Sequence, residues 1–367
     1  MAFSRSQASA GTRDLHRNGI TKSNILIPDD ALLRPCLDPV AAELARRGHA
    51  VTRPASLSPA DWHHQLAHAD AVVLTPRTRF TAAEIGAAPA LRGIVFPTIG
   101  VEALELDAAT AHGIAVGFGA TPEAVDSMAE ANALLIAALL LDLKGKEHAL
   151  RACGWRDGTV TARMVQGKMI GFVGFGRIAR ATLRRLVPWG VRAQFHDPYV
   201  ADWDADLGHV SKSADLAQLL QTSDVVNLQV NLTAETKGMI GAAELALMRP
   251  EAFLVNTARG GAVDETALVQ ALRERRIAGA ALDAFAVEPL PTTSPLRDFD
   301  GVWLTPHNIG HTLELQQSLV PATIENVARV CAGEPPLYFR NPEVLARWRT
   351  RLADLAGRSL TPSPLAS

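Results

Sequence analysis

The stretch of sequence that decides the fold is residues 169–179, Met-Ile-Gly-Phe-Val-Gly-Phe-Gly-Arg-Ile-Ala, in which an apolar run leads directly into a glycine-rich turn. The run has the length of a buried strand, and the residues after the glycines are typical of a helix. The signature Gly174-x-Gly176-x-x-Ala179 is a variant of the dinucleotide-binding fingerprint with alanine in the last position. Gly174 permits the tight turn, and Gly176 has no side chain to keep a pyrophosphate from the backbone. The stretch predicts a strand–turn–helix unit that holds a dinucleotide, with a tight turn lacking any ligand as the alternative.

A second apolar run that ends in an acid supports dinucleotide binding. Residues 193–197, Ala-Gln-Phe-His-Asp, end in Asp197, about 20 residues past the glycines, where a carboxylate can hold the adenosine ribose hydroxyls. The N–H groups of Arg177 and Ile178, at the start of the helix, would face the phosphates. Because a carboxylate repels a 2'-phosphate and no arginine directly follows Asp197, the sequence predicts NAD rather than NADP.

Short apolar runs alternate with helical segments on both sides of this stretch. Before it, runs of strand length occupy residues 24–28, 50–52, 71–74, 93–96 and 114–116. After it, a second alternating series continues to about residue 306, and residues 311–332 have the pattern of one long helix. Short continuous apolar strands separated by helices indicate parallel sheets covered on both faces. A chain of 367 residues exceeds the size at which a single core stops growing, so two domains are expected.

Composition and charge argue against several other classes of function. The formal net charge of -2 gives no electrostatic reason to expect nucleic acid or an anionic membrane as a partner. The longest largely apolar stretch, residues 131–141, in which Asn132 is the one polar residue, has about half the length of a membrane-spanning helix, and nothing near Met1 resembles a signal peptide. The three cysteines stand far apart without metal-ligand spacing, which predicts no metal site and no disulfide framework. A cytoplasmic location is the simplest expectation.

Three further segments follow apolar runs of the second series. They are residues 253–261 (Phe-Leu-Val-Asn-Thr-Ala-Arg-Gly-Gly), 282–289 (Leu-Asp-Ala-Phe-Ala-Val-Glu-Pro) and 303–307 (Trp-Leu-Thr-Pro-His). Because open α/β sheets bind ligands at the carboxyl ends of their strands, polar residues at these places are site candidates. Taken singly, the arginine, the glutamate and the histidine in these segments could each have a purely structural role.

In this order after the glycine turn, the three segments resemble the D-isomer specific 2-hydroxyacid dehydrogenase family, and the resemblance extends over roughly residues 24–342. It implies an α/β chain of two doubly wound parallel-sheet domains, with a Rossmann NAD-binding domain inserted into a flavodoxin-like substrate domain. The implied boundaries are a substrate-binding domain at 23–124 and 311–345 and an NAD-binding domain at 125–310, followed by a C-terminal tail at 346–367. Residues 1–22 are polar and unpatterned, which predicts a flexible extension, with an amphipathic transit peptide as the alternative. A homodimer that acts on a small-molecule 2-hydroxy or 2-keto acid is implied as well.

The resemblance also assigns roles to individual residues. It implies that Arg259, Glu288 and His307 are the catalytic arginine, glutamate and histidine. The further cofactor contacts that it implies are Thr233, Thr236, Thr257, Ala258 and Asp283, of which the last would hold the nicotinamide carboxamide. The substrate loop that it implies contains Thr98, Ile99 and Gly100, where backbone N–H groups would help to bind the carboxylate.

The oxidation of a 2-hydroxy acid explains these residue types. Hydride leaves C2 readily only if the hydroxyl proton leaves with it, so a base is required, and His307 is the obvious candidate. A neighbouring carboxylate, Glu288, would fix the tautomer of the imidazole and favour the imidazolium. The guanidinium of Arg259 would grip the substrate carboxylate and polarise the C2 oxygen.

The sequence departs from the family pattern at the substrate end. Phosphoglycerate dehydrogenases carry arginines for the substrate phosphate at two places that correspond here to Thr75 and Phe96, although Arg77 and Arg79 stand nearby and could substitute. A non-phosphorylated substrate is therefore expected. Phe96 and Pro97 suggest a more apolar pocket wall, unless Phe96 belongs to the core of the sheet.

Some alternatives remain open at this level. His311 either touches the substrate or merely begins the next helix. Glu288 stands where relatives that oxidise formate have glutamine, which argues against formate as the substrate. The rival functions are an NAD(H)-sensing, corepressor-like binding protein of the same fold and a phosphite-type dehydrogenase.

Overall fold

The computed structural model describes residues 22–54, 58–156 and 158–359. Its contacts divide the chain into two units, with breaks between residues 120 and 121 and between residues 316 and 317. Unit 1 combines the segments before the first break and after the second, and unit 2 is the continuous segment between them. The flexible extension predicted at residues 1–22 lies, apart from Lys22, outside the described residues.

Both units alternate strands with helices. The strands of unit 1 are β1 (Asn24–Leu26), β2 (Ala50–Thr52), β3 (Ala71–Val73), β4 (Gly93–Val95) and β5 (Ala115–Gly117). Its helices are α1 (Arg34–Arg46), α2 (Pro59–Leu66), α3 (Ala82–Gly86), α4 (Leu106–Ala111), most of α11 (Leu313–Ala332) and α12 (Leu345–Ser359). The strands of unit 2 are β6 (Met169–Val173), β7 (Arg192–His196), β8 (Val210–Lys212), β9 (Val225–Leu228), β10 (Phe253–Asn256), β11 (Gly279–Leu282) and β12 (Val302–Leu304). Its helices are α5 (Pro122–Leu140), α6 (Leu143–Arg151), α7 (Arg177–Leu186), α8 (Leu216–Thr222), α9 (Ala242–Leu247) and α10 (Glu265–Arg273).

The sheet of unit 1 is wholly parallel, with the strand order β2-β1-β3-β4-β5. This is the flavodoxin-like order, as expected for the substrate domain. In the register, Ile25 of β1 lies opposite Val51 on one side and Ala71 on the other. The direction of winding reverses between β1 and β3, and in such sheets a ligand binds in the crevice outside the carboxyl ends of the two strands at the reversal.

The sheet of unit 2 is also wholly parallel, with the order β12-β11-β10-β9-β6-β7-β8. It has the Rossmann order with one additional strand, and its winding reverses between β6 and β9. Apolar side chains cover both faces, because Phe172 and Val255 belong to one buried cluster and Val226 and Leu254 to the other. The predicted fold class, two doubly wound parallel-sheet domains, is confirmed.

Local sequence signals explain several boundaries of these elements. The Ser58 hydroxyl accepts from the N–H of Asp61 at 3.3 Å and caps α2, as the Ser-Pro-Ala-Asp sequence predicts. Gly48 has φ +94 and follows α1, in the left-handed conformation that glycine adopts readily. Helix α5 ends at Leu140, and the chain turns at Asp142, with φ +51, before α6 begins.

The C-terminal tail predicted at residues 346–367 is instead helical as far as residue 359, in α12. Trp348 is fully buried, and its indole Nε1 donates to the carbonyl of Arg92 at 2.6 Å. Arg351 of the same helix donates from Nε to the carbonyl of Leu91 at 2.7 Å. The helix therefore packs at the amino end of β4 as part of unit 1, and the tail prediction is wrong up to residue 359.

Within the described residues, no single helix is both long enough and apolar enough to cross a membrane. The helices α5 and α6, bent by 62° at their junction, pass that test only as a pair and only by length and composition. Over the same described residues, no group of three or more His, Cys, Asp or Glu side chains is arranged to hold a metal ion.

Candidate active site

The turn between β6 and α7 has the geometry that a pyrophosphate needs. Gly174 has φ +86, and a Cβ added there would lie 2.6 Å from the carbonyl oxygen of Gln229, so only glycine fits. A Cβ added to Gly176 would meet nothing within 4 Å, so the space beside this backbone is open. Gly176 caps α7 without a side-chain hydrogen bond, and Ala179 is fully buried against the sheet. The predicted phosphate contacts, Arg177 and Ile178, are the first two residues of that helix.

Asp197 stands directly after β7, beside the glycine turn. Its Oδ2 accepts from the N–H of Phe175 at 2.9 Å, and its Oδ1 accepts from the N–H of Tyr199 at 2.9 Å. The two bonds hold the carboxylate in place, and each oxygen keeps capacity for a further donor such as a ribose hydroxyl. The residues present therefore fit a dinucleotide with an unmodified ribose.

The loop after β9 contains the predicted contacts Thr233 and Thr236. The N–H of Thr233 donates to the hydroxyl of Thr236 at 2.8 Å, and that hydroxyl donates to the carbonyl of Asn231 at 2.6 Å. Thr236 thus closes the loop, while Thr233 is exposed at its tip. The side chain of Thr236 serves to shape this loop.

The loop that carries Arg259 follows β10 and is fixed by Asn256. The Asn256 side chain accepts from the N–H of Ala258 at 3.1 Å and donates to the carbonyl of Arg259 at 3.0 Å. A Cβ added to Gly260 would lie 1.9 Å from the carbonyl carbon of Phe285, so this loop touches the loop after β11 backbone to backbone. Asn256 belongs to the segment 253–261, but the sequence alone predicted no role for it.

A buried amide cluster lies beside Thr257, another of the predicted cofactor contacts. The Oδ1 atom of Asn132, on α5, accepts from Asn227 at 2.9 Å, from Gln229 at 3.0 Å and from the Thr257 hydroxyl at 3.0 Å. Asn132 and Asn227 are fully buried, so these bonds satisfy groups that would otherwise be costly to bury. The cluster fixes Thr257, and because its members are distant in the chain, sequence reasoning missed it.

Glu288 and His307 come together at the carboxyl edge of the unit 2 sheet. The Nδ1 atom of His307 lies 2.7 Å from Oε2 of Glu288, and Oε1 of Glu288 accepts from the N–H of Phe285 at 2.9 Å. The side chains of His307 and Glu288 are 44% and 37% exposed, so the pair stands at the surface of unit 2. His307 has φ +53, a left-handed conformation that histidine adopts more readily than most residues.

Asp283, at the end of β11, organises the loop that carries His307. Its Oδ1 accepts from the Thr305 hydroxyl at 2.6 Å and from the N–H groups of Asn308 at 3.0 Å and Ile309 at 3.3 Å. Burial raises the pKa of the Asp283 carboxyl above its ordinary value, and these donors oppose the rise in part. The other oxygen, Oδ2, is the atom left for the predicted cofactor contact.

The predicted substrate loop belongs to unit 1. The hydroxyl of Thr98 donates to the carbonyl of Gly100 at 3.1 Å, and Thr98, Ile99 and Gly100 are all partly exposed. Phe96 is fully buried in the same cluster as Val72, so it belongs to the sheet core and its interpretation as a pocket wall is wrong.

The structure also shows where Arg77 and His311 lie, two residues whose roles the sequence left open. Arg77 pairs with Asp30 of unit 1. His311 is exposed, precedes α11, and donates its backbone N–H to the carbonyl of Asn308 at 2.8 Å. Among the residues that the structure describes, no hydrogen bond or ion pair gives the His311 side chain a further role.

Unit 2 combines a Rossmann sheet with an open glycine turn and an acid after its second strand. It also has a histidine–carboxylate pair at its carboxyl edge. This combination defines a nicotinamide-dependent dehydrogenase of the α/β class. The family model for the NAD-binding domain of D-isomer specific 2-hydroxyacid dehydrogenases matches residues 133–308. The chain is 37% identical over 282 residues to glyoxylate reductase of Thermofilum pendens, with 75% of this chain and 82% of that one covered. It belongs to the D-isomer specific 2-hydroxyacid dehydrogenase family.

Two further similarities agree with this assignment. The chain is 36% identical over 267 residues to D-3-phosphoglycerate dehydrogenase of Mycobacterium leprae. The aligned region covers 72% of this chain but only 50% of that longer protein. An NAD-dependent formate dehydrogenase of Staphylococcus aureus, solved in complex with NAD, superposes with a TM-score of 0.71 at 27% identity, over 85% of this chain and 96% of that one. The protein is an NAD-dependent D-2-hydroxyacid dehydrogenase, so the predicted family, enzyme class and cofactor are confirmed.

Proposed function

We propose that this dehydrogenase interconverts a non-phosphorylated D-2-hydroxy acid and its 2-keto acid, with His307 as the general acid and base. The observation that carries this proposal is the 2.7 Å contact between Nδ1 of His307 and Oε2 of Glu288. An ionised carboxylate only accepts hydrogen bonds, so it holds the Nδ1 proton and leaves Nε2 with the lone pair of the neutral ring.

Proton transfer at His307 follows from that tautomer. The nicotinamide, when bound, accepts or supplies the hydride at C2. During oxidation of the hydroxy acid, Nε2 of His307 takes the hydroxyl proton, and Glu288 stabilises the resulting imidazolium. During reduction of the keto acid, the same atom returns the proton to the C2 oxygen. Glu288 is a positioning residue, because it acts through the imidazole.

Arg259 completes the set by binding the substrate. Its guanidinium offers a planar fork of donors that matches a carboxylate and can also polarise the C2 oxygen. Asn256 and the contact between Gly260 and Phe285 hold the backbone on either side of Arg259, which limits the positions that its side chain can reach. Such pre-organisation is what positional catalysis requires.

The environment of Arg77 supports the proposal of a non-phosphorylated substrate. Arg77 is bound to Asp30, so its charge is already neutralised within unit 1. Thr75, which stands where phosphoglycerate dehydrogenases have a phosphate-binding arginine, is fully buried and contacts Thr78 at 3.2 Å. Neither residue offers a phosphate the free positive charge that it needs.

We also propose that the enzyme is a homodimer, on the basis of an apolar surface on unit 2. Large exposed apolar residues are concentrated in α5, α6 and the segment after α6: Leu134, Leu141, Leu143, Leu150, Trp155, Val160 and Met164. Large apolar side chains that are exposed in neighbouring segments of a monomer are often covered by a partner chain. Light scattering should give about twice 39.2 kDa, and Trp155→Asp should weaken the dimer. Leu32→Asp, at an equally exposed leucine of unit 1, should not.

The proposed function is tested by an NADH-oxidation screen over 2-keto acids of two to nine carbons, with and without phosphate, and with chiral analysis of the product. We expect the D-isomer as product and turnover of non-phosphorylated acids. Tight NADH binding without turnover of any acid would favour an NAD(H)-sensing protein instead. Arg259→Ala should raise KM and lower kcat together, because the arginine both binds and polarises the substrate. A change in protein yield alone would assign Arg259 a structural role.

A further inference from the structure

Two loops of unit 2 lie on opposite sides of the glycine turn, because of the order of the strands. β6 pairs with β7 on one side and with β9 on the other, so the width of β6 separates β7 from β9. Residues 197–200 follow β7 and include Asp197, and residues 229–237 follow β9 and include Thr233. A dinucleotide that contacts both Asp197 and Thr233 therefore crosses the carboxyl end of β6, where Rossmann sheets bind their cofactors.

A hydrogen bond between two side chains joins these loops across β6. The phenol of Tyr199 donates to Oε2 of Glu235 at 2.8 Å. Neighbouring strands are about 4.8 Å apart, so the bond connects loops whose strands are separated by about 10 Å. The carboxylate that accepts this bond raises the pKa of the Tyr199 phenol, which therefore keeps its proton at neutral pH and is the donor.

Each partner belongs to a loop that is fixed by its own hydrogen bonds. The N–H of Tyr199 donates to Oδ1 of Asp197 at 2.9 Å, so the tyrosine is tied to the acid that is predicted to hold the ribose. Glu235 lies between Thr233 and Thr236, where the N–H of Thr233 donates to the Thr236 hydroxyl at 2.8 Å. Because both loops are locally closed, the bond between Tyr199 and Glu235 limits how far the two loops can separate.

The bond lies at the surface of unit 2, above a turn that has room for a ligand. Tyr199 is 81% exposed, and Glu235 is exposed as well. An exposed polar contact contributes little to the stability of a fold, so stability does not account for this one. The backbone of Gly176, in the turn between the two loops, borders open space, since a Cβ added there would meet nothing within 4 Å.

We propose that the Tyr199–Glu235 bond is a strap that closes over the adenosine half of bound NAD(H) and slows its release. While the bond exists, the loops that carry Asp197 and Thr233 are held together, and when it breaks they separate and the cofactor leaves. Tyr199 and Glu235 are positioning residues, because they act by holding these loops. The inference concerns cofactor exchange and needs no 2-keto acid, so it goes beyond the proposed function and does not depend on it.

An incidental surface hydrogen bond is the competing explanation, and it predicts no change in the rate of cofactor release. Two substitutions remove the strap from opposite sides. Tyr199→Phe keeps the ring and removes the donor, and Glu235→Ala removes the acceptor. Glu235→Gln is the conservative variant, because its amide oxygen still accepts from the phenol.

The experiment measures the release of NADH by stopped-flow fluorescence, after the NADH-loaded protein is mixed with an excess of ADP-ribose. Tyr199→Phe and Glu235→Ala should each raise the rate constant of release about three- to tenfold, the effect of one hydrogen bond. Glu235→Gln should stay within about twofold of the wild type, because the bond is kept. The matched control is Glu274→Ala, which removes another exposed carboxylate of unit 2, one that accepts from Gln270 at 2.6 Å, and it should keep the wild-type rate.

The double variant Tyr199→Phe/Glu235→Ala tests whether the two residues act as one strap. Its release rate should equal that of the single variants, since one bond can be lost only once, and multiplied effects would overturn the inference. An unchanged rate in Tyr199→Phe would overturn it as well. So would slower release from Glu235→Ala, because that result would assign Glu235 a purely electrostatic effect on the anionic cofactor.

A second ligand tests whether the strap acts on the adenosine half. The fluorescent etheno derivative of ADP-ribose contains this half and no nicotinamide, and its release is measured in the same way. Tyr199→Phe should accelerate its release by the same factor as for NADH, and an unchanged rate would overturn the assignment. Circular dichroism verifies that each variant folds, and Tyr199→Phe decides alone if Glu235→Ala does not fold.

Discussion

At Gly260 the loop of Arg259 touches the loop of Glu288 backbone to backbone, and replacement of this glycine by alanine gives a direct test of the site. A Cβ at this position would lie 1.9 Å from the carbonyl carbon of Phe285 and 2.1 Å from its oxygen. Both are backbone atoms, so no rotation of a side chain relieves the overlap. We predict that Gly260→Ala folds but loses most of its activity.

The magnitude follows from the distance. Carbon atoms in ordinary contact are at least about 3.4 Å apart, so the two loops must separate by about 1.5 Å. A shift of about 1 Å in a positioning group costs a reaction about 100-fold, and Arg259 directly precedes Gly260. We therefore expect kcat/KM to fall at least about 100-fold, with about 1–3 kcal/mol of stability lost to overpacking.

The assay compares Gly260→Ala with Gly261→Ala, the neighbouring glycine. A Cβ on Gly261 would meet only the tip of the Leu232 side chain, at 3.1 and 3.2 Å, and that side chain is partly exposed and free to move. Circular dichroism and NADH fluorescence verify that each variant folds and binds its cofactor, and initial rates give kcat and KM. Activity of Gly260→Ala within about threefold of the wild type, or equal losses in both variants, would refute the reasoning.

Three further predictions concern other parts of the chain. Glu288→Gln should lower kcat about tenfold with NADH affinity unchanged, because a carboxylate that stabilises the imidazolium is replaced by a neutral amide. A kcat equal to that of the wild type would remove Glu288 from the mechanism. Asp197→Ala should weaken NADH binding and relax discrimination against NADPH, measured as the ratio of the two Kd values, and an unchanged ratio would contradict the ribose assignment. Burial raises the pKa values of Cys36 and Cys331 to about 11, whereas Cys153 is exposed. A thiol reagent at pH 8 should therefore modify one cysteine in the native protein and three after unfolding, and rapid native modification of all three would show the opposite.

The sequence predicted the parts of the site that are encoded within short segments. The turn at Gly174 and the cap at Ser58 depend on neighbours within a few residues, and both are found as expected. The strands of both sheets are recognisable because continuous apolar runs of that length suit only a covered parallel sheet. The residues proposed as catalytic were found in the same way, since Arg259, Glu288 and His307 each lie within a few residues after one of those runs.

The remaining features depend on contacts between distant residues. Trp348 is buried and donates a hydrogen bond to the carbonyl of Arg92, 256 positions away, and the arginines beside it in the sequence mask the apolar pattern of its helix. Phe96 has the same apolar character whether it lines a pocket or fills a core, so only the fold decides. Asp30 and Arg77 are 47 positions apart, and their pairing follows from the neighbouring positions of β1 and β3.

The division of unit 1 between the two ends of the chain has a consequence for its synthesis. Ile324, Val327 and Val330 of α11 pack in one cluster with Ile25 and Val73, and these partners are separated by the whole of unit 2. At roughly 5–20 residues per second, translation of those nearly 200 intervening residues takes roughly 10–40 s. During that interval one apolar face of the unit 1 sheet is exposed, because helix α11, which covers it, has not yet been synthesised. Unit 2 is continuous and can complete its core without waiting for a later segment, whereas the sheet of unit 1 lacks part of its cover until α11 has been synthesised.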